Sequence, residues 1–527
     1  MPAISRRRLL GSGLALSVLG PLGLRAAPTI DPDADWTPAG DFLRDLPRQM
    51  QALGVPGVSI AVVEAGALAW SRGFGVADAE RGTPVQYATL WEAASLSKPV
   101  FAYTVLQLVD RGELALDAPL VNYARPGYLG QSPWIERISV RDVLRHTTGL
   151  PNWRKDPAHE PLIPVVAPGT RIDYSGEAFV WLQLAVEAVT GESLDQTMRR
   201  LMFDPAGMRD SSYGWDPALA ARSVYGHRAP DDAQPGMPAQ GLREAWDAAQ
   251  PIADRWRKPL SAWRYADAER ALPLARANAK PGVVNWPSDI LANSAASLRC
   301  TVQDYARFMA LVVHASPAAW ELRPATRAAM LTSQIALPGR WTEKGLGWNI
   351  EATQVGPILY HSGSNGGVFK TFALGDAARQ RALVVMTNAA SGNVLYRRVV
   401  RAATGLDLLA FDLWHSGAPR ARPSAPHLLH APRPHPHLVL PGPHRHRPSR
   451  LRLPVRRRLQ HPRRPAVRRR RNRALLPARA FRCAHGRCSG CVPQHVCCTR
   501  RRLRGGLETA RCAPPRATAG AGQQAGP

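Results

Sequence analysis

A serine stands three residues before a lysine in WEAASLSKPVFAY (91–103), where an apolar run begins. A serine hydroxyl is a poor nucleophile until a base takes its proton. On a helix, residue i+3 lies on the same face as residue i, which brings Lys98 within reach of Ser95. A lysine removed from water gives up its proton more easily and can then receive the serine's. Pro99 places the pair: it has no N–H to give and is tolerated only in a first helical turn, so the helix begins at about 95–97. Ser95 then sits at a helix amino end, where free N–H groups and the helix dipole favour negative charge. An oxyanion site needs those conditions. S-x-x-K alone is a weak pattern, and a capping serine beside a surface lysine is the plain alternative. The chain has six lysines, and Lys98 is the only one with serine three places before it.

The elements that must hold this pair can be read from periodicity. In VPGVSIAVVEAGALAWSRGFGV, Val58, Ile60 and Val62 alternate, a turn falls near Gly66, and Leu68 and Trp70 resume the period of two, which predicts two strands. VFAYTVLQLVD is apolar nearly all round, the mark of a buried helix, and Gly112 stops it. SVRDVLRH carries a serine cap and runs into the loop TTGLPNW, and GEAFVWLQLAVEAVTG reads as a helix ending at Gly191. Residues 218–290, with Trp246, Trp256, Trp263 and Trp286, read as helices and loops. A helix is entered after Thr301. Strands follow at ILYHSGS, at VFKTFAL across the Asn365-Gly366 turn signal, and at ALVVMTN, and a last helix covers about 394–403. Strands at both ends with helices between them predict an α+β fold: one antiparallel sheet flanked by helices, with an inserted helical region.

Further motifs extend the S-x-x-K pair. HTTGLP (146–151), Tyr174-Ser175-Gly176, DPAGM (204–208), AASLRCTVQDYARF and His361-Ser362-Gly363 occur in that order. With Ser95-Leu96-Ser97-Lys98 they make the chain, from about 55 to 405, resemble the serine β-lactamase and penicillin-binding-protein superfamily. The likeness is to its class C-like branch, which includes penicillin-binding esterases and D-aminopeptidases. The resemblance implies a three-layer β-lactamase/transpeptidase-like fold and an acyl-enzyme on Ser95. It implies that Tyr174, its phenol pKa pulled down by Lys98, acts as general base. It implies an oxyanion hole from the backbone N–H groups of Ser95 and Ser364. His361, with Ser362 and Gly363, would line the opposite wall and help to orient or protonate the substrate. Gly176 stands where relatives carry an asparagine that contacts the substrate's amide, and His361 stands where many carry lysine. Both departures favour an esterase or amidase over a β-lactamase. His146 reads as a loop-fixing residue, and the tryptophans of the inserted region either wall an acyl pocket or simply pack.

The formal charge of +28 does not describe this body. From Gly417 on there are 26 arginines, no lysine and one acid, Glu508, which leaves 42 basic and 39 acidic residues before it, a net of +3. A general nucleic-acid surface is therefore not indicated. At the amino end, SRRRLL followed by GSGLALSVLGPLGL and RAAP resembles a twin-arginine export signal over 1–27, too short and glycine-broken to span a bilayer. Export to the periplasm follows from that resemblance. Cys300 is the only cysteine before the tail and reads as a small core residue.

The expected organisation is a signal at 1–27, a hydrolase domain at 28–412 and an Arg/Pro/His-rich tail at 413–527. No cofactor is called for, and Cys483, His485, Cys488 and Cys491 lack the second pair that would complete a zinc site. Of the 68 basic residues 62 are arginine, as in GC-rich coding sequence, and such sequence read out of frame yields Arg, Pro, Ala, Gly and His. A frameshift near His415 is the expectation, and a disordered basic arm the alternative. The substrates expected are small esters, amides or cell-wall peptides. A penicillin- or peptidoglycan-binding protein without turnover and a true class C-like β-lactamase are the competing functions. A nucleic-acid binder would need the tail to be genuine. Beyond His415 there is one phenylalanine and no tyrosine or tryptophan, too little to build a core. A chain ending near Trp414 is accordingly expected to keep its melting temperature and esterase activity and to lose any salt-sensitive retention on DNA. Unfolding on truncation would contradict this.

Overall fold

The alternation at Val58, Ile60 and Val62 does become a strand, β1 (Gly57–Glu64), but Ser59, Ala61 and Val63 between them are buried as well. A strand reads as continuously buried when its sheet is covered on both faces. The computed structural model describes residues 30–228, 240–314, 318–335 and 342–415. The expected signal, the tail beyond 415 and its cysteines lie outside the described residues.

β1 is followed by β2 (Ala67–Asp78), β3 (Thr83–Pro84), β4 (Trp91–Glu92) and β5 (Arg299–Cys300). The carboxyl-terminal half adds β6 (Thr342–Lys344), β7 (Asn349–Thr353), β8 (Gly356–Asn365), β9 (Phe369–Asp376) and β10 (Arg381–Thr387). Eight of them form one antiparallel sheet in the order β3-β2-β1-β10-β9-β8-β7-β6, and β4 pairs with β5 separately. The first and last strands meet at the centre, Val58 opposite Thr387 and Val62 opposite Leu383. The sheet is thus built from both chain ends, as expected. The short strands β3 to β7 carry too few residues to show a period.

Val58, Ile60, Val62, Phe372, Leu374, Leu383 and Val385 face one side of the sheet. There they meet α1 (Gly40–Leu53), the Gly392–Thr404 helix and Phe411. Ala61, Val63, Ala373, Val384 and Met386 face the other, under α2 (Ser97–Asp110) and the Val302–Val313 helix. The result is three layers. Every residue of α2 from Ser97 to Leu108 is buried, which accounts for its all-round apolar sequence. Pro99 falls in its first turn, where no hydrogen bond is lost.

Local signals set the remaining helices. Ser139 and Asp142 form a reciprocal capping box on α3 (Val140–Leu144). Ser175 caps α4 (Gly176–Thr190), and Gly191 ends it at φ 72°. In the inserted region the Gln240–Trp256 and Tyr265–Asn278 helices meet through alanines, Ala245, Ala249 and Ala253 against Ala268, Ala271 and Ala275. Small side chains allow that close approach. Glu187 of α4 accepts from the Tyr265 backbone N–H at 2.8 Å and tethers the insertion to the body. Cys300 is buried in the main core. No helix among the described residues is long and apolar enough to cross a membrane.

Candidate active site

Ser95 lies in a single 3-10 turn, Ala94–Leu96, that runs directly into α2. The turn is strained, because Ala94 holds φ at 52°, a conformation that costs a non-glycine residue about 1–3 kcal/mol. Bonds from distant segments hold it there. The Ala93 N–H donates to Leu298 O at 2.9 Å, and Thr371 Oγ1 of β9 donates to Ala93 O at 2.9 Å. Tyr305 Oη donates to Leu96 O at 3.0 Å, and Tyr213 Oη to Ser97 O at 2.6 Å. Gly363 lets β8 press against the same turn: a Cβ there would stand 2.3 Å from Thr371 Oγ1 and 2.6 Å from Ala93 O. Within the turn Ser95 alone remains partly exposed.

Lys98 follows on the same helical face, with Nζ 3.4 Å from Ser95 Oγ and donating to Ala295 O at 2.8 Å. It is buried, and the aromatic faces of Tyr174 and Phe179 lie 4.6 and 5.6 Å from Nζ. Burial, with a smaller push from the charge of Lys344, lowers its pKa to about 7. The neutral amine is therefore accessible at neutral pH, where a free lysine is almost wholly protonated.

The Tyr174 ring has Lys98 Nζ 4.6 Å from its centroid, and it stacks on the His146 imidazole with centroids 4.4 Å apart and planes at 28°. The Tyr174 hydroxyl is buried, and its interaction with the Ser95 hydroxyl falls short of ordinary hydrogen-bond geometry. Burial raises its pKa, and the neighbouring Ser95 hydroxyl is the one influence acting downward. This corrects the expectation that Lys98 pulls the phenol down. The cation sits over the ring face rather than at the oxygen, and desolvation wins. His146 Nδ1 accepts from the Ser175 N–H at 3.2 Å, and its backbone carbonyl accepts from Asp173 N at 2.8 Å. Burial, then Lys344, Lys98 and His361, keep the His146 imidazole neutral. It braces the loop that presents Tyr174.

His361, on β8, has its ring 6.1 Å from that of Tyr174. Its Nδ1 lies 2.8 Å from Ser362 O, which places the proton on Nδ1 and leaves the buried Nε2 as an acceptor without a partner. Burial, then the charges of Lys98 and Lys344, lower its pKa to about 3. Of the two tasks expected of His361, orienting or protonating the substrate, the lowered pKa and the unpartnered Nε2 favour orienting. Ser364, further along β8, accepts at Oγ from Lys370 Nζ at 2.8 Å. Asn365 Nδ2 donates to Glu92 Oε2 and Ala296 O, each at 3.0 Å, and so binds the end of β8 to the segment preceding Ser95. The β7–β8 ladder ends at Asn349–Tyr360, which leaves the outer edge of 361–365 without a strand partner. Gly176 begins α4 two residues after Tyr174.

The structure thus gathers Ser95, Lys98, Tyr174 and His361, and it adds Lys344, which sequence reasoning missed. Lys344 is buried at the end of β6, opposite Asn349, whose Oδ1 accepts from its Nζ. Asn349 in turn donates from Nδ2 to Tyr360 O at 3.2 Å, next to His361. Its rarity was the only available signal, one of six lysines in the chain. Of the four tryptophans noted in the insertion, Trp256 and Trp263 pack within it. Trp286 instead stands edge-on to Trp153, with centroids 6.1 Å apart.

Comparison with known proteins agrees with this arrangement. The beta-lactamase family matches residues 43–405. Esterase EstB of Burkholderia gladioli is 33% identical over 186 residues, 30% of this chain and 47% of that protein. Penicillin-binding protein 4 of Amycolatopsis lactamdurans is 29% identical over 187 residues, 33% of this chain and 49% of that protein. The chain therefore spans about half the length of these curated relatives. Among solved structures, an octameric penicillin-binding protein homologue from Pyrococcus abyssi overlays with a TM-score of 0.52 at 18% identity, covering 69% of this chain and 76% of that one. A class C beta-lactamase overlays with a TM-score of 0.51 at 18% identity, covering 69% and 95%. At such identity the likeness to these structures is one of fold.

If the close approach at Gly363 holds the serine turn, Gly363→Ala should destabilise the protein by about 1–3 kcal/mol in urea unfolding. It should also slow acylation of Ser95 by a fluorophosphonate about tenfold or more, because small misplacements of reacting groups are costly. Unchanged stability and labelling would show that β8 does not support the turn.

Proposed function

The chain belongs to the beta-lactamase family, and from that premise and the site's geometry we propose that it is an exported serine hydrolase acting through an acyl-enzyme on Ser95. The export half rests on the twin-arginine-like sequence at 1–27. The observation that carries the catalytic half is the contact of Ser95 Oγ with a buried lysine whose pKa is about 7. A base with a pKa near working pH is both present in its free form and able to take a proton.

In this mechanism neutral Lys98 takes the Ser95 hydroxyl proton as Oγ attacks the substrate carbonyl carbon. The developing oxyanion is held by the backbone N–H groups of Ser95 and Ser364, the first at the head of α2. The carbonyl carbon's bond to the leaving alkoxide or amine then breaks. That leaving group takes the proton that Lys98 received from Ser95, which leaves the amine neutral again for deacylation. Tyr174, whose phenolate burial disfavours, stays protonated and donates a hydrogen bond to the leaving group. Deacylation repeats the path with water: Lys98 takes a proton from it, hydroxide adds to the acyl carbon, and Ser95 leaves as its hydroxyl is restored. His361 would accept a hydrogen bond from substrate through its unpartnered Nε2. With no cation at 361, small esters and amides rank ahead of carboxylated β-lactams as substrates.

Fluorophosphonate labelling read by mass spectrometry tests the assignment. Label is expected on Ser95, and Ser95→Ala should abolish it and lower p-nitrophenyl butyrate turnover by at least about a thousandfold. Label on another serine, or turnover surviving the substitution, would overturn it.

A further inference from the structure

Between the body and the inserted region lies a cavity of about 520 Å³ that none of Ser95, Lys98, Tyr174 and His361 lines. Small-molecule sites commonly fall between about 300 and 1,000 Å³. One side comes from the body, at 193–222 and 297–299, and the other from the insertion, at 242–263 and 288–292. The two sides are tied together, since Ser193 Oγ donates to Ser261 O at 2.6 Å. The body side is anchored in turn: Tyr213 Oη donates to Ser97 O at 2.6 Å, and Ser297 Oγ donates to Tyr213 O at 2.8 Å. The cavity therefore stands on fixed residues.

Its polar groups leave donors without acceptors. Four carboxylates line the cavity, and each is already engaged. Asp195 Oδ1 accepts from the Tyr213 and Gly214 N–H groups at 3.0 and 3.2 Å, and Asp210 pairs with Arg222 at 2.7 Å. Asp216 Oδ1 accepts from the Ala218 N–H at 2.8 Å, and Asp289 Oδ2 from the Asn285 N–H at 2.7 Å. Arg299 is likewise paired, with Glu92 at 3.2 Å. Arg209, by contrast, makes no hydrogen bond or ion pair among the described residues, and Arg199 comes no nearer than 3.9 Å to Asp195. Trp215 Nε1, also on this wall, is buried and has no partner among the described residues. A buried N–H without an acceptor costs free energy, and with two arginines on the same walls an anion supplies that acceptor best. The insertion's contribution is largely apolar, with Leu242, Trp246, Leu260 and Ile290. Water could serve the N–H but gains nothing from these side chains.

We infer that this cavity is a second binding site, separate from the Ser95 cleft, for a small amphipathic carboxylate. The ligand class is an alkyl or arylalkyl acid whose carboxylate meets Trp215 Nε1 and the two arginines, and whose apolar body lies against the insertion. The inference does not depend on Ser95 being a nucleophile.

Titration calorimetry of the whole chain with 4-phenylbutyrate tests it, with 4-phenylbutanol as the uncharged control. Saturable binding of the acid is expected, at least about tenfold tighter than that of the alcohol, because hydrogen bonds to a charged group are the stronger ones. Trp215→Phe keeps an aromatic ring and removes the N–H, and it should weaken the acid about tenfold. It should not lower the melting temperature of the unliganded protein, since the donor it deletes has no partner there. Arg209 is exposed, so Arg209→Gln should leave the fold intact and weaken the acid several-fold. Blocking Ser95 with a fluorophosphonate should leave the affinity unchanged. Equal affinity for acid and alcohol, or for the wild type and Trp215→Phe, would overturn the inference. Loss of binding on blocking Ser95 would place the acid in the catalytic cleft and overturn it too, and no binding at all would leave the cavity to water. If Ser95 takes no label, the hydrolase reading fails, and the two variants still decide this site.

Discussion

The arrangement of the site follows from burying the Lys98 amine beside Ser95. An ammonium group taken out of water is costly unless a counter-charge meets it, and the charge that acts on Lys98 is another cation, Lys344. The group responds by losing its proton more readily, and an amine whose pKa lies near 7 can take a proton at neutral pH. One carbonyl, that of Ala295, orients it. That carbonyl is held by a chain of bonds. Ala295 N donates to Asn293 Oδ1 at 2.8 Å, Ser294 N to Gln183 Oε1 at 2.9 Å, and Gln183 Nε2 to Glu187 Oε1 at 2.9 Å. Glu187, its own pKa raised to about 7 by burial, reaches the insertion through Tyr265. The Lys98 amine is therefore positioned by α4 and the insertion, while Ser95 is positioned by the sheet.

The second constraint is backbone strain at the serine. Ala94 keeps its unfavourable φ because hydrogen bonds from β9, from the segment at Leu298, and from Tyr213 and Tyr305 outweigh it. Those contacts come from residues more than a hundred positions away, and the meeting of β1 with β10 at the sheet centre makes them possible. A protein organised this way gives up stability at Lys98 and Ala94 to keep one reactive geometry.

Local chemistry was legible in the sequence. The Ser95–Lys98 spacing, the Pro99 boundary, the Ser139 and Thr301 caps and the Gly191 stop each depend on a few neighbouring residues, and each stands where the spacing puts it. Long-range effects were not legible. The Lys344 charge acts on Lys98, His146 and His361 only because β6 folds back beside β7. The protonation of Tyr174 depends on how deeply its hydroxyl is buried, which no motif states. The glycine at 176 looked like a loss, and only the position of Trp153 shows that another side chain has taken the space.

The central claim is that Lys98 is the base, and its own titration tests it most directly. With six lysines in the chain, isotope-labelled lysine side chains can be followed one by one by NMR, and the Lys98 signal assigned by its loss in Lys98→Arg. Burial lowers the pKa, so Lys98 should be protonated below about pH 7 and neutral above it. A lysine in free solution titrates at about 10.4. A Lys98 signal that stays protonated to about pH 10 would contradict the account, because Ser95 would then have no base beside it.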